Sequence, residues 1–360
     1  MTRVRHYWRA TRVGVALAIL AGVVVAPPAS GATTVTYVAL GDSYASGEGL
    51  APFVGSNTDH CDRSIESYPY LVANALGVNT VAPTFRDVAC AGAKMSNLFL
   101  GVDGDPSQAS ALTRGTDVVS LTIGGNDVGF GPLALSCLQL GAVSTFATFT
   151  QALCANAIDR AQRLLGAVRG RASFAASLRV RFPSRFAATL LSTLSRLRAQ
   201  QGMTDPTLGT ATWFVVANYP VLIPPQRSAS PCQFGFGVTM SARDAAALRA
   251  INELLNAEIL STTRLYARRH HDHGVVAVDV ARSLQPLTCT TSVGTSDVRS
   301  VDPANPSYSL HPFASGQSKM AALVTAALRI HGVKVVTTTT TSTTTSTTTT
   351  PATTSTTTLP

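Results

Sequence analysis

Short β-branched apolar runs alternate along this chain with longer stretches of helical spacing. The runs at 35–40, 85–88, 117–123, 212–217 and 275–280 are bounded by Gly, Pro or Asn and read as buried strands. In 241–270 the period changes: Leu248, Ile251, Leu255 and Ile259 recur at spacings of three and four, with Ser241 placed to cap the helix and Asp244 in its first turn. The stretch 316–330 repeats the pattern with Met320, Leu323, Val324, Ala327 and Leu328. Strands separated by helices predict an α/β fold, a three-layer α/β/α sandwich around a central parallel sheet. In such sheets ligands collect at the carboxyl ends of the strands, so chemistry is expected in the loops that follow them.

One stretch departs from the alternation. Residues 130–209 show no strand pattern but carry helical apolar spacing and two cysteines. They are expected to form a helical insertion beside the active-site face, as a lid or substrate wall, or as a structural elaboration braced by a disulfide. The body of the chain, 33–335, is long enough for one well-packed domain and does not demand two.

The two ends have compositions of their own. Arg3, Arg5, Arg9 and Arg12 precede an uncharged, mostly apolar run at 13–26, followed by Pro27-Pro28 and the small residues Ser30-Gly31-Ala32. This reads as a secretory signal peptide over 1–32, cleaved after Ala32, and a secreted, extracellular protein is expected. The alternative, an uncleaved anchor, has 14 residues where a spanning helix needs about 20. At the other end, 337–360 holds only Thr, Ser, Pro, Ala and Leu, so 336–360 reads as an extended Thr/Ser-rich tail, either a glycosylated stalk or a plain spacer.

Charge adds little. The formal net charge of +9 includes the four leader arginines; without them 24 basic residues face 19 acidic ones. The arginines scattered from Arg160 to Arg198 suit the solvated faces of amphipathic helices better than a nucleic-acid footprint, and no nucleic-acid partner is expected. Six cysteines follow the leader: Cys61, Cys90, Cys137, Cys154, Cys232 and Cys289. An even set in an exported protein implies disulfides, in any of about fifteen pairings, and no C-x-x-C pair points to a metal or redox site.

Three loops carry candidate chemistry. Ser43 stands in Gly41-Asp42-Ser43-Tyr44-Ala45-Ser46-Gly47, just past the first strand, where a serine can point out of the sheet; a strand ending in Gly-Asp-Ser is also an ordinary turn. Gly124-Gly125-Asn126-Asp127 follows the strand at 117–123, and the Asn126 amide with nearby backbone N–H groups could hold an oxyanion, though Gly-Asn turns are common. His311, in Leu310-His311-Pro312-Phe313 before the last helix, is the histidine placed to act as a base. Of the others, His270, His271 and His273 end a long helix beside Asp272, where they complement its negative end or, less simply, bind metal. Nucleotide binding is disfavoured, since neither a P-loop nor a spaced G-x-G-x-x-G pattern occurs.

In order and spacing these segments resemble the SGNH (GDSL) hydrolase family, in its secreted actinobacterial lipase/esterase branch. Its first block is matched by 41–49, its second by Gly92 in Ala89-Cys90-Ala91-Gly92-Ala93, its third by Gly124-Gly125-Asn126-Asp127 and its fifth by the stretch ending in His311. The resemblance runs from about 35 to 332 and implies a flavodoxin-like sandwich, with Ser43 as nucleophile, His311 as its base, and an oxyanion hole of the Ser43 N–H, the Gly92 N–H and the Asn126 amide. The family's commonest form places an aspartate three residues before the histidine, where this chain has Tyr308. Relatives of this kind use a main-chain oxygen just before the histidine instead; here Ser309 or its neighbours would supply it, with Asp302 as the competing acid. The same relatives bridge six cysteines in sequence order, which implies Cys61–Cys90, Cys137–Cys154 and Cys232–Cys289.

The resemblance further implies a two-step acyl transfer needing no metal or cofactor, by a monomer acting on acyl lipids or short-chain esters and in transient contact with a lipid or membrane surface. A carbohydrate O-acetyl esterase is the nearest rival. From another class comes a non-catalytic surface-binding module, against which the complete Ser, Gly, Asn and His set argues.

Overall fold

The computed structural model describes residues 35–54, 60–78, 80, 84–140, 144–166, 183–202, 212–225, 230–235, 237–287, 289, 296–302 and 305–336. The expected leader, 337–360 of the Thr-rich tail, and 141–143, 167–182 and 203–209 of the 130–209 segment lie outside these residues.

In chain order the strands are β1 Tyr37–Gly41, β2 Phe85–Asp87, β3 Val118–Thr122, β4 Gln139–Leu140, β5 Trp213–Ala217, β6 Cys232–Gly235, β7 Val238–Met240 and β8 Val275–Val278. Five of them make a wholly parallel sheet in the order β2-β1-β3-β5-β8. All five strands expected from the apolar runs are present, their ends differing by no more than two residues. Every residue of β1 and β3 is buried. Both faces of a central parallel strand are covered, which is why these segments read as unbroken apolar runs rather than as alternation.

Two helix pairs supply the covering layers. Helix Tyr68–Ala75 packs on Ala314–Ile330, and Arg185–Gln200 packs on Ala242–Arg269. The long helix begins as expected, with the Ser241 hydroxyl accepting the Asp244 N–H at 3.1 Å. Its Leu248, Ile251, Leu255 and Ile259 are each at most 1% exposed. Burial of such side chains stabilises by about 1.5–3 kcal/mol apiece, which explains the spacing of three and four. The last helix starts at Ala314, two residues before the expected 316, because its first turn carries no large apolar residue to mark it.

The 130–209 segment contributes helices Phe130–Ser136, Ser144–Leu164 and Arg185–Gln200. It also holds β4, which corrects the expectation that no strand lies there. β4 pairs antiparallel with β7, and β7 with β6, in a separate three-stranded sheet. Strands of two to four residues are too short for alternation to register in the sequence. At the carboxyl side of the domain, the Val336 N–H donates to the Ala75 carbonyl at 2.7 Å.

The strand order positions the site. The chain leaves β1 for β2 at one edge and passes from β3 to β5 and β8 toward the other, so the loops after β1 and β3 diverge side by side. That is the switch point at which open α/β sheets present a crevice.

Candidate active site

Ser43 lies two residues past β1 and begins the single turn Ser43–Ser46, whose N-terminus is capped by Asp42. The Asp42 carboxylate accepts the Tyr44 N–H at 3.1 Å. Gly41 cannot be replaced without moving the sheet, because a Cβ there would lie 2.5 Å from the Thr122 carbonyl oxygen of β3. The side-chain amide of Gln108 holds the same residue from both sides, accepting the Gly41 N–H at 2.8 Å and donating to its carbonyl at 2.9 Å.

His311 comes from far along the chain to the same point. Its Nε2 lies 2.7 Å from Ser43 Oγ. The loop carrying it is pinned on two sides. Arg299 N donates to the His311 carbonyl at 2.8 Å and Leu310 N to the Arg299 carbonyl at 3.1 Å. The Tyr44 hydroxyl, from the serine turn itself, donates to the Leu310 carbonyl at 2.7 Å. Burial holds the imidazole pKa down, to about 4, against backbone groups of Ser309, Tyr308 and Ser307 that favour its charged form. The resting ring is therefore neutral near pH 7, as a general base must be.

The other two loops converge here. Asn126 Nδ2 donates to the Ala93 carbonyl at 3.1 Å, which fixes the amide with one of its two hydrogens, and the residue lines the cavity. Gly92 has φ of 75°, a conformation that costs glycine nothing. Its turn is clamped by the Cys61–Cys90 disulfide and by the Ala91 N–H on the Cys61 carbonyl at 3.1 Å. Neither the Gly92 nor the Ser43 N–H donates to an acceptor among the described residues. Asp127 serves the turn rather than the cavity, its carboxylate accepting the Met95 N–H at 3.1 Å.

Ser43, Gly92, Asn126 and His311 all line one cavity of about 380 Å³. Phe130, Pro132, Leu135, Leu222, Leu255 and Leu310 give it a predominantly apolar wall. The start of the 130–209 segment is thus a wall of the cavity, while its last helix belongs to a layer of the fold. Cys137–Cys154 ties the wall helix to Ser144–Leu164, and Cys232–Cys289 anchors β6, so the bonded pairs are those the resemblance implied.

The support for His311 is less simple than expected. Nδ1 is buried with no hydrogen-bond partner of ordinary geometry among the described residues. Asp302 holds Asn305, accepting its N–H and its side-chain amide at 3.2 Å each, and the Ser309 hydroxyl accepts the Asp302 N–H at 2.9 Å. Glu48, five residues after the serine, was not singled out from the sequence, yet its Oε2 lies 3.5 Å from His311 Nε2. Tyr219 was also missed. Its hydroxyl donates to the Asp42 carboxylate and accepts the Gly125 N–H at 2.9 Å. Its position two residues past β5, at the carboxyl end of a parallel strand, was the available signal.

The histidines at the end of the long helix do not gather into a site. The His270 ring packs on Tyr266 with centroids 4.4 Å apart, and Asp272 is bound by Arg198. Among the described residues one group of metal-ligand type comes together, Cys61, Cys90 and Asp105, and its two sulfurs are bonded to each other.

A parallel sheet of this order, with a serine after β1, an asparagine after β3 and a histidine before the last helix, defines an α/β fold of the SGNH hydrolase type. The chain belongs to the GDSL-like Lipase/Acylhydrolase family, whose model matches residues 39–317. In sequence it is similar to Lipase 1 of Streptomyces coelicolor, 40% identical over 121 residues that cover 34% of this chain and 41% of that protein. It is also similar to a lipase of Streptomyces rimosus, 37% identical over 116 residues that cover 32% of this chain and 39% of that protein. The chain thus spans well under half the length of these relatives in sequence. Among solved structures it resembles the extracellular lipase of Streptomyces rimosus, with a TM-score of 0.56, 26% identity, and coverage of 82% of this chain and 100% of that one. Phospholipase A1 of Streptomyces albidoflavus gives a TM-score of 0.55 and 27% identity over 82% of this chain and 99% of that one.

Proposed function

We propose that this protein is a secreted carboxylic ester hydrolase that cleaves acyl lipids or short-chain esters through Ser43 and His311. The observation that carries the reading is the 2.7 Å contact between His311 Nε2 and Ser43 Oγ, made by residues 268 apart in the chain at the wall of an apolar cavity. As Ser43 Oγ attacks the ester carbonyl, its proton passes to Nε2 and a bond forms from oxygen to the acyl carbon. The Ser43 N–H, the Gly92 N–H and the Asn126 amide face the developing oxyanion, and such donors are worth about 3–4 kcal/mol each. The proton on Nε2 then goes to the departing alkoxide, and water releases the acyl group by the same route in reverse. The Ser309 main-chain oxygen is the proposed support of the ring from the backbone side, in keeping with the favourable influence of residues 307–309 on the imidazolium.

The apolar wall favours an acyl chain over an acetylated sugar. Export rests on the arginine-led apolar leader and on the likeness to an extracellular lipase, and among the described residues no helix is long and apolar enough to cross a membrane. Hydrolysis of nitrophenyl esters from acetate to palmitate, beside acetylated xylan, by the wild type and Ser43→Ala tests the reading. A chain-length optimum with loss of turnover in the variant is expected. Undiminished hydrolysis by Ser43→Ala, or a preference for xylan, would overturn the mechanism or the substrate class respectively.

A further inference from the structure

The reacting nitrogen of His311 has a second neighbour. Glu48 is 7% exposed, lines the cavity, and places Oε2 3.5 Å from the same Nε2 that contacts Ser43. The backbone makes this placement firm. The Glu48 N–H donates to the Ser43 carbonyl at 3.1 Å, and the following Gly49 carbonyl accepts from Arg299 Nη2 at 2.9 Å, the residue whose backbone also holds His311. A Cβ on Gly49 would come within 3.2 Å of Tyr308 Cβ, so the Glu48 segment and the histidine loop are packed face to face.

Among the described residues no other carboxylate is so placed. Asp42 is engaged by the Tyr44 N–H and Tyr219, Asp302 holds Asn305, and position 308, where the family's usual acid would stand, is tyrosine. We propose that Glu48 is a positioning residue for the reaction, the carboxylate that steadies the His311 imidazolium from its Nε2 side. The inference rests on the Ser43–His311 reading above. No proton passes to Glu48. The Ser43 proton moves to Nε2 as the Oγ–acyl bond forms, the carboxylate lowers the energy of the resulting cation, and the proton leaves Nε2 for the alkoxide.

The surroundings of Glu48 set when it can do this. Burial pushes its pKa up, to about 8, reinforced by Asp62 and Asp42 and opposed by a hydrogen bond from Ser307. The other groups in the cluster are Tyr44, which stays protonated, and Arg299, whose charge disfavours the imidazolium. At neutral pH the carboxyl is largely protonated and His311 is a weak base. Ionisation of Glu48 places a negative charge beside the ring and strengthens the base, so activity should climb through the alkaline range.

The test is the pH profile of kcat and of kcat/KM on a short-chain nitrophenyl ester, from pH 5 to 10, for the wild type, Glu48→Gln and Ser307→Ala. The wild type should show a limb rising around pH 8 that Glu48→Gln lacks. A carboxylate within about 4–6 Å moves a partner's pKa by about one to three units, so the variant should lose about 10- to 100-fold in kcat above pH 9 and less at pH 6. Ser307→Ala keeps the carboxyl but removes the bond that favours its ionised form, and should move the limb to higher pH. Should Glu48→Gln fail to fold, a limb left in place by Ser307→Ala would overturn the proposal. So would a Glu48→Gln profile that tracks the wild type within about twofold throughout, against the shift expected of a close charge. Fluorophosphonate labelling separates the two levels. A wild type unlabelled at Ser43 sinks the serine mechanism itself, whereas a labelled wild type with an unaltered Glu48→Gln profile sinks the role of Glu48 alone.

Discussion

The Tyr219 hydroxyl donates to the Asp42 carboxylate while accepting the Gly125 N–H, so one phenol joins the loop that carries Ser43 to the loop that carries Asn126. All three residues are near the cavity, and Asp42 and Tyr219 are buried. Tyr219→Phe leaves a buried carboxyl and a backbone N–H without this partner. A loss of about 1–3 kcal/mol in denaturant unfolding is expected. Because the bond favours the ionised carboxyl, the pKa of Asp42, already raised by burial to about 7, should rise further in the variant. NMR titration of the carboxyl would read this directly.

Asn126 donates to the Ala93 carbonyl with one amide hydrogen. If the other meets the oxyanion, Asn126→Ala should lower kcat by about 10²–10³-fold with little change in KM, since the interaction exists only in the transition state. Steady-state kinetics on a soluble ester decide it. An effect confined to KM would place the amide in ground-state binding instead.

Two groups of opposite behaviour make stability depend on pH. Glu48 has a folded pKa raised from 4.5 to about 8, so its protonated form stabilises the fold below about 4.5, and that contribution declines as pH rises through 8. His311 has a folded pKa lowered from 6.5 to about 4; its contribution is present above 6.5 and declines as pH falls through 4. Glu48→Gln removes the first dependence. The melting temperature of the variant should therefore gain on the wild type between pH 5 and 8, with a slope that cannot exceed about 1.4 kcal/mol per pH unit for one proton. Parallel melting curves across that window would contradict the burial of an ionisable carboxyl.

Arg198 and Asp272, 4% and 6% exposed, form a two-pronged ion pair at 2.5 and 2.7 Å that ties helix Arg185–Gln200 to the turn before β8. Asp272→Ala strands a buried guanidinium and should cost about 3–5 kcal/mol. Below the lowered melting temperature, labelling of Ser43 should proceed at the wild-type rate, because the pair touches nothing in the cavity.

Most of the central sheet was legible because burial on both faces forces β1, β3 and β5 into continuous apolar runs, and the long helix because Leu248, Ile251, Leu255 and Ile259 face one core. The second sheet was not legible, since a strand such as Gln139–Leu140 is held by its pairing and not by any pattern of its own. Glu48 and Tyr219 escaped notice for a related reason. Their importance lies in which atoms they meet; the place of Tyr219 just past β5 hints at the site, but no spacing records its partners or those of Glu48.

The amino-acid sequence by itself determined the α/β class, the two unlike ends, and the serine, asparagine and histidine at the carboxyl ends of strands or before the last helix. Those features are local, arising from periodicity, composition and turn residues within a few positions of one another. Which disulfides form, which face of the imidazole meets a carboxyl, and what stands beside the serine were decided only when segments up to 268 residues apart were brought within hydrogen-bonding distance. Burial then changed the chemistry of those side chains, holding one proton on a glutamate and keeping another off a histidine, and the protein's low-dielectric interior exists only in the folded chain.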